Sequence, residues 1–158
     1  GNKNLILEIY KNPIYRAVRC DKVRISMMES ILKTYYTSKN ISDKNLSVQL
    51  FKRDRELLQK NAEYIIGKID KKIINKYVIE LKKTYVEAGS GSLPNKNIPS
   101  IAIVLKKYQS PSLLYEKFLM CEIPVVGYIN NDIFHIDLKA VPQEQIDMLV
   151  HSINETLK

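Results

Sequence analysis

An α+β fold is predicted for this chain, and three observations predict it. Val23, Met27, Ile31 and Tyr35 recur every four residues, the spacing of one helix face. The run from Ile98 to Leu105 is β-rich and apolar on both faces, as a strand in the middle of a sheet must be. Val125 to Ile129 and Ile133 to Leu138 flank Asn130-Asn131-Asp132, residues that tolerate positive φ in a tight hairpin. Helices come first, and strands then mix with helices. That order predicts a four-stranded, mainly antiparallel sheet covered by helices and preceded by a long connecting helix.

The elements follow in chain order. Polar residues and an apolar patch, Leu5 to Ile9, open the chain. The first helix is expected from Asp21 to Tyr36, and the polar stretch Thr37 to Ser47 ends its pattern. Leu57, Leu58, Ala62, Ile65 and Ile66 make a second stripe, on a helix from about Phe51 to Ile66 with Gly67 as its stop. Tyr77, Ile79 and Leu81 alternate with Val78, Glu80 and Lys82, which is a strand pattern. Gly89-Ser90-Gly91-Ser92-Leu93-Pro94 is a loop by composition. Ser110 caps a helix with Pro111 in its first turn, ending near Cys121. Pro142 opens the last helix, with Ile146, Leu149, Val150, Ile153 and Leu157 on one face. Residues 1–48 thus read as a linker and connecting helix, and 49–158 as an α+β domain ordered β-β-α-β-β-α.

With 158 residues, 45% of them hydrophobic, the chain is long enough to bury a core without staples. No apolar run reaches the length of a membrane span, and Gly1 to Lys11 has no signal-peptide pattern. Cys20 and Cys121 lie far apart and form no CxxC, so a cytoplasmic location is expected. The net charge of +8 suits an anionic partner such as RNA or a phosphorylated ligand. Lysines spread along the whole chain are also what a plain solvated surface carries.

Self-sufficient catalytic chemistry is hard to find. His135 and His151 are the only histidines, too few for a metal site, and His135 is expected to be a strand residue with a satisfied ring. Neither cysteine lies near a histidine, and there is no nucleophile elbow. Cys20, although beside arginines, is expected to be a packing residue. Gly89, Gly91 and Ser92 offer N–H groups and a hydroxyl to an anion, yet the loop has neither the Walker lysine nor Rossmann spacing. Arg16 and Arg19 are three apart, which on a helical turn puts both guanidinium groups on one side. Such a pair suits bidentate capture of phosphate or carboxylate, although a surface pair is more often only solvated.

Three segments together resemble selenocysteine synthase, a fold-type I pyridoxal-phosphate enzyme. Asn12-Pro13-Ile14-Tyr15-Arg16-Ala17-Val18-Arg19-Cys20-Asp21-Lys22 is similar to "NPLxRALRVDK". Gly89-Ser90-Gly91-Ser92-Leu93-Pro94 with Ile98-Pro99-Ser100 is similar to "GGGSLPxxxLPS". Ile123-Pro124-Val125-Val126-Gly127-Tyr128-Ile129 with Ile136-Asp137-Leu138-Lys139-Ala140-Val141 is similar to "PPVIGRI…LLDLRTV". Tyr128, Lys139-Ala140, Ser90 and Cys20 depart from the pattern.

The resemblance implies the C-terminal small domain of an enzyme converting seryl-tRNA(Sec) to selenocysteyl-tRNA(Sec) with selenophosphate. It implies that Arg16 and Arg19 face the active site and bind the anionic selenium donor, and that the Gly89, Gly91 and Ser92 loop borders the cleft. It places the pyridoxal-phosphate lysine and the tRNA-recognising domain upstream of residue 1. The 158-residue piece is therefore expected to hold no cofactor, to be inactive alone, and to self-associate through the apolar side of its long helix. Two alternatives stand beside this one: a related lyase of the same superfamily, and a non-enzymatic basic module binding RNA or protein. A homo-oligomer is expected and a membrane is not.

Overall fold

The computed structural model describes residues 1–87 and 97–158. The chain divides into two compact units, Gly1–Asn45 and Leu46–Lys158.

The first unit is helical: α1 (Lys3–Lys11), α2 (Pro13–Val18) and α3 (Lys22–Thr37), then a 3-10 turn at Ile41–Asp43. Each α-helix starts on a side-chain cap. Asn2, Asn12 and Asp21 accept from the free amides of the first turns. The expected α3 face forms, yet Val23, Met27, Ile31 and Tyr35 are all more than half exposed. No residue of α1, α2 or α3 is buried. Cys20 corrects an expectation, because it is exposed. It sits in the link between α2 and α3, where its neighbours Arg19 and Asp21 serve as caps and no core lies within its reach.

The second unit contains α4 (Leu46–Lys52), α5 (Arg55–Lys68), α6 (Lys71–Tyr77), β1 (Ile79–Val86), β2 (Ile98–Leu105), α7 (Pro111–Met120), β3 (Tyr128–Asn130), β4 (Ile133–Asp137) and α8 (Ile146–Leu157). It is the predicted α+β arrangement, with local corrections. The helix expected over Phe51–Ile66 is broken at Arg53-Asp54. There the extended Asp54 accepts from the Leu57 amide at 2.7 Å and starts a new helix. Gly67 stops nothing, since α5 runs through it to Lys68. Tyr77 ends a helix that was not expected. Val78 then turns the chain at φ 51°, and the strand begins at Ile79.

All four strands are antiparallel, in the order β1-β2-β4-β3. β2 is the expected central strand, paired on both sides. One face carries Ile101, Ile103, Leu105, Phe134 and Ile136, packed on Leu58 and Ile65 of α5, Leu114 and Phe118 of α7, and Ile153 of α8. Burying each such side chain contributes roughly 1.5–3 kcal/mol. The opposite face carries Thr84, Ser100, Asp137, His135 and Tyr128 in facing register.

Asn131 and Asp132 both take positive φ, 51° and 56°, as a tight hairpin requires. β3 is shorter than predicted because the Val125 amide donates to the Phe118 carbonyl at the end of α7, at 2.8 Å. Gly127 follows. A Cβ there would lie 2.5 Å from both the His135 carbonyl oxygen and the Phe134 ring, so the chain enters β3 by a route open only to glycine. The last helix begins at Ile146, after a 3-10 turn over Gln143–Gln145.

Candidate functional site

In the first unit, Asn12 is both the end of α1 and the cap of α2. Its side chain accepts from the Ile14 amide at 2.9 Å, and Pro13 fills the first helical position, where no N–H is needed. This fixes a one-and-a-half-turn helix that ends on the two arginines. Arg16 lies in its last turn and Arg19 is its C-cap, where cations oppose the negative helix end. Both are exposed. Among the described residues neither pairs with a carboxylate, whereas the nearby Arg24 is taken by Asp21 at 3.2 Å. Tyr10 and Tyr15 meet in a tilted pair, with centroids 5.2 Å apart and planes 35° apart. Two free guanidinium groups at this spacing suit a phosphate-like anion. Gly89, Gly91 and Ser92 lie outside the described residues.

A polar node in the second unit escaped the sequence reading. The Asp137 carboxylate accepts from Thr84 Oγ1 at 2.8 Å, Ser100 Oγ at 2.5 Å and the Lys139 amide at 2.9 Å. Lys139 is buried, and its ammonium donates to the carbonyls of Arg53 and Pro99. Arg53, also buried, donates to the Val141 carbonyl. Arg55 donates to the Thr84 carbonyl at 3.3 Å and lies 5.1 Å from the centre of the Tyr85 ring. Burial lowers the pKa of both Lys139 and Arg53. The node binds the α4–α5 junction to β1, β2 and the end of β4. The signal available was the polar Thr84, Ser100 and Asp137 set inside strand patterns.

His135 corrects a second expectation. It is 1% exposed and stacks on Tyr128, with centroids 4.9 Å apart, but neither ring nitrogen has a well-formed hydrogen bond. Burial first, and then Lys82, hold its pKa below the ordinary 6.5, against smaller opposing effects of the Asn130 carbonyl and Asp137. Outside the sheet, Glu122, His151 and Glu155 bring three ligand atoms within 4.8 Å of one another, a clustering that the sequence reading did not expect. All three are exposed, and their separations of 3.7–3.9 Å from His151 are those of surface ion pairs.

The family model described as L-seryl-tRNA selenium transferase (SelA) matches residues 1–142. The chain belongs to this family. It is 30% identical to the L-seryl-tRNA(Sec) selenium transferase of Mannheimia succiniciproducens, over 89% of the chain and 31% of that protein. The transferase of Actinobacillus pleuropneumoniae serotype 5b is 30% identical over 98% of the chain and 34% of its own length. That of Campylobacter concisus is 33% identical over 99% and 33%. The chain spans about a third of the length of the curated relatives it matches.

Selenium transferases of the kind that the sequence resembles use pyridoxal phosphate, and the described residues do not fit that group. Lys139, the one lysine buried among them, has its ammonium committed to two main-chain carbonyls, and its neighbour Asp137 is occupied by two hydroxyls and an amide. No helix among the described residues is long and apolar enough to cross a membrane.

Proposed function

We propose that this chain is the anion-positioning, C-terminal part of a pyridoxal-phosphate selenium transferase. That enzyme would convert seryl-tRNA(Sec) to selenocysteyl-tRNA(Sec) with selenophosphate in the cytoplasm. One observation carries the reading: Arg16 lies in the last turn of α2 and Arg19 caps its end, both exposed and without a carboxylate partner among the described residues, in a segment resembling the family's "NPLxRALR". Their role is to hold the anionic donor and to balance its charge, by positioning and electrostatics rather than by bond-making. Gly89, Gly91 and Ser92, which lie outside the described residues, are carried into this proposal as active-site loop candidates by the resemblance to "GGGSLP" alone.

The cofactor lysine and the tRNA-recognising domain belong, in this reading, to the larger remainder of the enzyme. The isolated 158-residue chain is inactive and binds no pyridoxal phosphate. Its exposed apolar α3 residues support assembly with further copies of the chain. The test is selenocysteyl-tRNA formation by the complete enzyme at varied selenophosphate. Arg16→Ala and Arg19→Ala should each lower kcat/KM for the donor about 10- to 100-fold, the worth of a charged hydrogen bond. Lysine substitutions should recover only part of it, because an ammonium lacks the planar fork. Unchanged donor kinetics in both alanine variants would sink the assignment.

A further inference from the structure

The second unit holds a basic cleft that the proposed chemistry does not use. α6 ends at Tyr77, and the segment leaving β2 runs back against it. The Lys107 amide donates to the Tyr77 carbonyl at 3.0 Å, and the Lys106 amide to that of Val78 at 3.4 Å. This brings Tyr108 onto Tyr77 in a stack, with centroids 5.8 Å apart and planes 29° apart. A cleft of about 560 Å³ opens there, lined by Lys76, Tyr77, Lys106, Lys107, Tyr108 and Gln109.

The lysines are held by the rings. Lys76 Nζ lies 4.8 Å from the centre of Tyr77, and Lys117 Nζ, from α7, lies 5.7 Å from that of Tyr108. The neighbouring Tyr108 raises the pKa of Lys117. Lys106 is neutralised by Glu80 at 2.5 Å. Among the described residues, no carboxylate pairs with Lys76, Lys107 or Lys117. Lys76 and Lys107 line the cleft, and Lys117 lies over Tyr108, which forms part of its lining. The two ammonium groups that sit over aromatic rings have already given up part of the freedom that binding would cost them.

We propose that this cleft takes the phosphodiester backbone of an RNA strand, as a contact surface separate from the donor site at Arg16 and Arg19. The inference rests on the reading of the chain as part of an enzyme acting on a tRNA, which favours RNA over an acidic protein segment. Lysine contacts to phosphate release counterions, so they set the salt dependence of binding without reading sequence.

The experiment titrates the chain against a fluorescein-labelled tRNA(Sec) transcript, a non-cognate tRNA and polyglutamate, each at several salt concentrations. Lys76→Gln, Lys107→Gln and Lys117→Gln combined should reduce the log–log salt slope for both tRNAs by about 2 to 3. Removing Lys3, Lys11 and Lys60 instead should leave less of a mark on that slope. Circular dichroism checks that each variant is folded, and single substitutions serve if the triple one is not. An unchanged slope, no RNA binding by the unaltered chain, or equally tight polyglutamate binding overturns the proposal. A reduced slope with no preference for tRNA(Sec) in the complete enzyme leaves the cleft standing and counts against the substrate instead.

Discussion

His135 shows how one side chain links burial to acidity. Its ring lies under Tyr128 with no good partner for either nitrogen, so the charged form is disfavoured in the folded state. Below the ordinary histidine range the unfolded chain binds the proton more readily than the folded one. Stability is therefore complete above about pH 7 and is lost as pH falls through 6.5 toward the lowered folded value. His135→Leu should abolish this loss. The Tm difference between pH 7.5 and pH 5.5, followed by circular dichroism, should shrink in the variant, and an undiminished difference would assign the acid sensitivity to other groups. Arg16 and Arg19 stand out in the sequence as a three-residue pair, and their role is the one proposed above, carried by the resemblance to "NPLxRALR". The Asp137 node was not legible there. Thr84, Ser100 and Asp137 are brought together by strand register, and spacing along the chain carries no information on which strands pair.

Caps decide where the helices break. The stripe through Leu57, Leu58, Ala62, Ile65 and Ile66 announced α5, but Asp54 sets its start, with α4 separate before it. Asp54→Ala should cost about 1 kcal/mol. Tm should then fall by roughly 2–4 °C, while an unaltered Tm would mean that Leu57 finds another acceptor. α6 went unseen for a different reason. Tyr77, Ile79 and Leu81 fit a strand period, and only the left-handed turn at Val78 separates the helical Tyr77 from the two residues that do alternate. α3 and α7 match their expected bounds to within a residue, whereas α8 begins four residues after Pro142 because a 3-10 turn over Gln143–Gln145 comes first.

For the molecule as a whole, burial is unevenly shared. Every buried side chain of the hydrophobic cluster belongs to Leu46–Lys158, while α1, α2 and α3 bury none. Protection should follow the same division, because local opening is least costly where little apolar surface is packed. Hydrogen exchange followed by mass spectrometry should show amides of β2 exchanging slowest and those of Gly1–Asn45 exchanging within the earliest time points. Equal protection in both units would mean that the first is covered in solution, which is what assembly through α3 would do. The α+β class is legible because most apolar stripe positions of the second unit, Leu58, Ala62, Ile65, Ile146, Leu149, Ile153 and Leu157 among them, are buried within it.

The order of the sheet has one more effect. Its two edges are β1, which carries Lys82 and Lys83 in succession, and β3, which is only three residues long. Charge on one border and brevity on the other leave no smooth template for another strand to dock on. When this protein is concentrated, the described edges of its sheet resist growing into a fibril, and the exposed apolar residues of α1 and α3 offer more to self-association.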